Sequence, residues 1–132
     1  MILFLDDNPE RLFLFKSSVP SARLAATAEE MIDLIKRHKG SDIECLYLDH
    51  DLGGKIYVDS NDKETGMEVV RWIIENHPSI KNIVIHSHNT DAAQLMLVAL
   101  LRAGYVVECI PFIDLKLREL SAVYHDVLVE EE

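Results

Sequence analysis

Nine polar residues in three short clusters carry the chemistry open to this 132-residue chain: Asp6-Asp7, Asp49-His50-Asp51 and His86-Ser87-His88-Asn89. Each cluster closes an apolar run, respectively Ile2-Leu3-Phe4-Leu5, Glu44 to Leu48 and Asn82 to Ile85. Four carboxylates, three imidazoles, a hydroxyl and an amide therefore sit at the ends of three segments that read as strands. Carboxylate-rich sites suit Mg²⁺ or Mn²⁺, and imidazoles extend the choice to Zn²⁺ or Fe. A cation held there polarises a phosphoryl oxygen or activates water. Neutral imidazole moves protons near neutral pH. Ser87 and Asn89 lie just before a helical segment and are natural phosphate contacts.

Each cluster alone carries an ordinary structural explanation. Paired aspartates after a strand often only start a helix, and a lone histidine at a strand end is more often structural than catalytic. The convergence of all three on one rim argues for a site. Side chains alternate along extended backbone. That places Asp49 and Asp51 on one side with His50 opposite, and His86 and His88 on one side with Ser87 turned away. His38, His77 and His125 fall at helix ends or exposed faces and read as structural.

The elements that position these clusters alternate along the chain. Strands are expected at 2–5, 22–25, 44–48, 82–85 and 105–110. Asn8-Pro9 opens the first helix as cap and first-turn proline. Thr27 with Glu30 forms a capping-box pattern for the second, which ends near Gly40. Gly66 to His77 is the third, stopped by Pro78. Asp91 to Ala103 is the fourth, closed by Gly104. A final helix carries Leu115, Leu117, Leu120, Val123, Tyr124 and Val127. Five strands alternating with five helices predict a doubly wound, three-layer α/β/α sandwich, its parallel sheet in the order 2-1-3-4-5. In such sheets ligands bind beyond the carboxyl ends of the central strands, which is where the three clusters fall. A single domain over 1–128 with an acidic tail at 129–132 is expected. The segment 53–65 reads as a long loop, with a small hairpin arm at Ile56-Tyr57-Val58, able to act as a lid or substrate wall.

Composition narrows the partners. With 13 Lys+Arg against 23 Asp+Glu, the formal net charge is −10. Polynucleotide affinity comes mostly from basic residues neutralising phosphates, so no extended nucleic-acid binding is expected. The longest apolar run, Leu95 to Leu101, falls far short of the roughly twenty residues of a membrane span. The apolar start ends at once in two aspartates, unlike a signal peptide, and a cytoplasmic protein is expected. The fourth helix is more apolar than one buried face needs, which points to a homodimer through residues 91–103. Cys45 and Cys109 sit in apolar runs and read as small buried hydrophobes. They fall on strands three and five, separated by strand four, about 10 Å apart. That is beyond the ~7 Å Cα reach of a disulfide.

The arrangement resembles the receiver domain of bacterial response regulators. Asp6-Asp7 looks like the Mg²⁺-holding acidic pair, and Asp49 falls at the phosphoacceptor position after Leu46-Tyr47-Leu48. Leu52 and Gly66 fit the pattern flanking helix three, and Ser87 falls at the hydroxyl position after strand four. Ile110-Pro111-Phe112 looks like the Lys-Pro-Phe end of strand five, with Ile110 in the lysine's place. Leu5-Asp6-Asp7, Leu48-Asp49-His50-Asp51-Leu52-Gly53, Thr65-Gly66 and His86-Ser87-x-Asn89 together resemble a divergent group, the cyclic-phosphate-processing receiver-like domains of bacteria and phages. That resemblance implies a divalent-metal-dependent phosphoesterase acting on a cyclic phosphate, at an RNA end or in a cyclic nucleotide. Asp6, Asp7 and Asp49 would hold Mg²⁺ or Mn²⁺, with Zn²⁺ also accommodated. His50 and His86 would be acid/base groups or further ligands, and Asp51 would orient an imidazole. Ser87, His88 and Asn89 would contact the phosphate. The alternative is a non-catalytic receiver module that accepts phosphate on Asp49 or binds a partner. In the plainest reading the rim acids are only helix caps.

Overall fold

A computed structural model describes residues 1–38, 42–52 and 59–119. Its strands are β1 (Ile2–Leu5), β2 (Arg23–Ala25), β3 (Ile43–Leu48), β4 (Ile80–Ile85) and β5 (Val107–Cys109). They alternate with α1 (Pro9–Ser18), α2 (Ala28–Arg37), α3 (Gly66–Asn76), α4 (Thr90–Arg102) and α5 (Phe112–Glu119). The sheet is parallel throughout, in the expected order β2-β1-β3-β4-β5. The second helix ends at Arg37, three residues before Gly40. Gly40 itself, the hairpin arm at 56–58, His125, the tail 129–132 and the far part of the last helix lie outside the described residues.

Alternation along the three central strands builds two cores. Leu3, Leu5, Leu46, Leu48, Ile83 and Ile85 face the layer of α2, α3 and α4, where Met31, Ile35, Val70, Ile73, Met96 and Leu100 cover them. Phe4, Tyr47 and Val84 face the other way and pack with Phe15 of α1 and Phe112 and Leu115 of α5. Strands buried on both faces read as continuous apolar runs, as β1 does here. Burying a large apolar side chain contributes about 1.5–3 kcal/mol.

The helix caps follow the sequence signals. Asn8 accepts from the amides of Glu10 and Arg11 (3.0 and 3.1 Å). Thr27 Oγ1 accepts from Glu30 N (3.1 Å), and Glu30 reaches back to Ala26 N (3.0 Å), one residue before the usual capping-box partner. His38 and His77 are the C-caps of α2 and α3, at helix ends as expected.

Three expectations need correction. The fifth strand does not begin at Tyr105. Gly104, at φ 94°, reverses the chain after α4, and the Gly104 and Tyr105 amides bond back to Leu101 O and Leu100 O (3.0 and 3.1 Å). The Tyr105 amide is thereby spent on a Schellman cap rather than on the sheet. Cys109 is not buried, because β5 is the sheet edge and exposes it. Cys45 is half-buried, and neither cysteine forms a disulfide, as strand order required. Third, β3 and β4 start earlier than their apolar patterns, at Ile43 and Ile80, each followed by exposed polar residues. Among the described residues no helix is long and apolar enough to cross a membrane.

Candidate functional site

Strand register builds the site. Leu5, Leu48 and Ile85 lie side by side across β1, β3 and β4. The next residue on each chain, Asp6, Asp49 and His86, therefore emerges at one rim and on the Phe4–Tyr47–Val84 side of the sheet. All three are buried, and a ligand atom from each lies within 4.8 Å of the others. Among the described residues this is the set with metal-like convergence.

Asp6 is saturated. Its Oδ1 accepts from Asn8 N (2.9 Å) and Arg11 Nη2 (3.0 Å). Its Oδ2 accepts from Arg11 Nε (2.8 Å) and faces His86 Nε2 at 3.0 Å. Burial alone would push the Asp6 carboxyl up, but bonds from His86 and Arg11 outweigh it and hold it below the usual range. Asp49 is less well served. His50 N donates to its Oδ1 (2.9 Å), and Arg11 Nη2 stands 3.7 Å from its Oδ2. Burial, with the charge of Asp6 close by, pushes Asp49 up to about 8. Two buried carboxylates with one guanidinium between them are short of positive charge.

The imidazole of His86 is clamped by rings. It stacks on Phe4 with centroids 4.8 Å apart and planes 5° apart, and Phe15 stacks on the far face of the same cluster at 4.1 Å from Phe4. Burial holds His86 below the usual imidazole range, against the pull of Asp6. A neutral ring with its proton on Nε2 donates to Asp6. Nδ1 then keeps a lone pair, buried and without a hydrogen-bond partner among the described residues.

His50 forms a second node. Its Nδ1 meets Asp51 Oδ1 at 2.8 Å and its Nε2 meets Ser60 Oγ at 3.0 Å. Asn89 Nδ2 donates to the same Asp51 oxygen (3.2 Å), while Asn89 Oδ1 caps α4 through Ala92 N (3.2 Å). Asp51 thus orients an imidazole, that of His50. Asp51 and Thr65 form an isolated antiparallel bridge, and Gly66 N bonds to His50 O (2.9 Å). At Gly66 a Cβ would stand 1.9 Å from the Asp49 carbonyl oxygen, so only glycine lets α3 approach the strand end this closely.

The expected pairing by alternation fails beyond the strands. Asp49 joins Asp6 and His86, whereas Asp51 joins His50 and Asn89. His86 is buried and His88 exposed, and Ser87 is buried, its Oγ accepting from Asn89 N (3.1 Å). The reason is that β3 ends at Leu48 and β4 at Ile85, and the period of two ends with them. Asp7 is half-buried beside the converging three and is not one of them. Its charge still bears on Arg11 and Asp49. A cavity of about 660 Å³ between α2, the 63–64 turn and α3 shares none of these residues.

Arg11 is the functional residue that sequence reasoning missed. It stands one turn into α1, on the face that returns toward Asp6, and its guanidinium lies 5.7 Å from the Phe112 ring centre. The signal available was spacing: a residue in the first turn after a capped strand end reaches that end. Ile110, at the position of the receiver lysine, is half-buried against the aromatic core. The positive charge at the two aspartates comes from α1 instead.

A parallel 2-1-3-4-5 sheet with an acidic pocket at the ends of β1 and β3 defines a receiver-like α/β domain. A family model described as the cyclic-phosphate processing receiver domain matches residues 1–102, and the chain belongs to that family. No curated protein and no solved structure matches the chain.

The donor set fits a divalent cation. Two carboxylates and an imidazole converge, and burial with the nearby Asp6 charge pushes the second carboxylate up to about 8, a shift that a cation would relieve.

Proposed function

We propose that this chain is a phosphoesterase that opens a cyclic phosphate, with a divalent cation held by Asp6 and Asp49 and completed by His86. The carrying observation is the convergence of those three buried side chains within 4.8 Å in a chain of the cyclic-phosphate processing family. Mg²⁺ or Mn²⁺ suits the oxygens, and the imidazole admits Zn²⁺. When bound, the cation would supply Lewis-acid polarisation of a phosphoryl oxygen.

The chain's own residues do the rest. Burial and the charge of Asp6 hold Asp49 up at about 8, and a cation between the two would let Asp49 ionise at lower pH. His86 is kept neutral by burial, which leaves its ring one lone pair for the cation. Asp7 lends negative charge at the rim. Asp51 fixes the His50 ring, and His50, the acid/base candidate, ties the 59–65 segment to the strand end. Ser87 and Asn89, at the start of α4, and the exposed His88 line the approach expected for phosphate. An acidic surface suits a small phosphorylated ligand or an RNA end better than a long strand.

The exposed side chains Leu95, Val98 and Leu101 on α4 support a homodimer through residues 91–103. Light scattering of Leu95→Glu against the unaltered chain tests it.

Purified protein with Mn²⁺ is expected to turn over 2′,3′- or 3′,5′-cyclic nucleotides, and Asp49→Asn to abolish it. No turnover with Mg²⁺, Mn²⁺ or Zn²⁺ across that panel would sink the reading. Stable, Asp49-dependent phosphorylation by a small phosphodonor would favour the receiver-module alternative.

A further inference from the structure

Asp6 has no lone pair to spare. A carboxylate offers about four acceptor positions. The backbone of Asn8, two nitrogens of Arg11 and Nε2 of His86 fill them at 2.8–3.0 Å. A cation reaching Asp6 must displace one of these donors. The Asn8 amide is backbone at the start of α1. His86 is stacked on Phe4 and fully enclosed. Arg11 is the donor with freedom to leave: its side chain is 24% exposed, against 1% for His86. It is also the group that leans on Asp49, at 3.7 Å.

We infer that Arg11 holds the cation's place between Asp6 and Asp49, and that cation binding releases its guanidinium to become the phosphate contact. This rests on the metal reading above. The released group stays tethered one turn into α1, beside the two aspartates, with the Phe112 face as a resting surface. A guanidinium fork matches two phosphoryl oxygens, as an ammonium does not. The pocket therefore fills in order. Phosphate meets two carboxylates and an engaged arginine before the cation arrives, and a neutralised pocket with a free arginine afterwards. Nothing of this needs a lysine on β5, where Ile110 stands.

Calorimetric titration of Mn²⁺ and of inorganic phosphate tests the inference. Arg11→Gln is expected to bind Mn²⁺ about ten-fold more tightly than the unaltered chain, a size ordinary for coupling between sites. Lys16→Gln makes the same charge change on α1 away from the pocket and is expected to stay within about two-fold. In the unaltered chain Mn²⁺ is expected to tighten phosphate binding about five-fold or more, and Arg11→Gln to lose that coupling. Arg11→Lys, which keeps the charge but not the fork, should fall between them for Mn²⁺ and still lack the coupling; it serves if Arg11→Gln does not fold. Equal or weaker Mn²⁺ binding by the folded variant, or equal tightening by Lys16→Gln, overturns the inference. Absence of Mn²⁺ binding by every protein overturns the metal reading itself.

Discussion

Asp6 and His86 meet at 3.0 Å although β3 runs between the strands that carry them. The contact crosses over the end of β3, which is where the Asp49 carboxyl emerges. Three chain segments thus share one charge problem, and its solution decides how the protein responds to pH, to cations and to substitution.

The first consequence is a pH dependence of stability. Asp49 titrates at about 8 when folded, against roughly 3.9 when unfolded. Between those values the folded chain keeps a proton that the unfolded chain has lost, so cation-free stability falls as pH rises. His86, held below 6.5, acts with the opposite sign, and only below that value. The lowered Asp6 matters only in acid, and the raised Cys109 and Tyr105 only above pH 9. The melting temperature without cation is therefore expected to drop between pH 6.5 and 8, and Asp49→Asn to flatten the slope. A flat profile for the unaltered chain would contradict this. For the same reason Mn²⁺ should bind more tightly at pH 8 than at pH 6.5.

Gly66→Ala drives a methyl into the Asp49 carbonyl, where 1.9 Å is available. Overpacking of this kind costs about 3 kcal/mol, read as a lower urea midpoint. Gly104→Ala meets no atom within 4 Å and suffers only its left-handed φ, about 1–2 kcal/mol. A Gly66→Ala protein as stable as the Gly104→Ala protein would refute the close approach.

His86→Phe keeps a ring on Phe4 and removes the donor to Asp6. The loss is expected to be about 1.5–3 kcal/mol, the worth of a hydrogen bond to a charged group. Mn²⁺ affinity should fall with it. Phe4→Ala removes the ring that both His86 and Phe15 stack upon, and should cost about 3–5 kcal/mol. Chemical denaturation measures both.

Ser60→Ala unhooks the 59–65 segment from His50. The expected loss is small, about 0.5–1.5 kcal/mol. Hydrogen exchange should rise in residues 59–65 and stay unchanged in β1, β3 and β4. Unchanged exchange across 59–65 would show that the bond does not hold the segment.

Sheet order, helix caps and the rim were legible in the sequence because they depend on local patterns. Ile2–Leu5 announces a buried strand, Asn8-Pro9 a helix start, and alternation fixes the order of layers. The pairing of side chains at the rim was legible only up to the last strand residue. Asp6, Asp49 and His86 share a side because Leu5, Leu48 and Ile85 are in register, and register is a property of three chains together. Past those residues the backbone turns, and the period of two assigned Asp51 and His88 to the wrong neighbours. Arg11 escaped notice because a single arginine on a helix looks like a solvated surface charge until the helix is docked. The fifth strand was misjudged at Tyr105, whose amide was claimed by the end of α4.

His50 has no idle nitrogen. One side of its ring is committed to Asp51, which also anchors the Asn89 cap of α4; the other is committed to Ser60, whose carbonyl is gripped by Arg71 at 2.7 Å. The ring therefore joins a carboxylate on one side to a hydroxyl on the other, the order of groups along which an imidazole can take up a proton while keeping both partners. The 59–65 segment and the cap of α4 are thus moored to one ring, so a substitution at His50 is expected to loosen both ends of the rim at once.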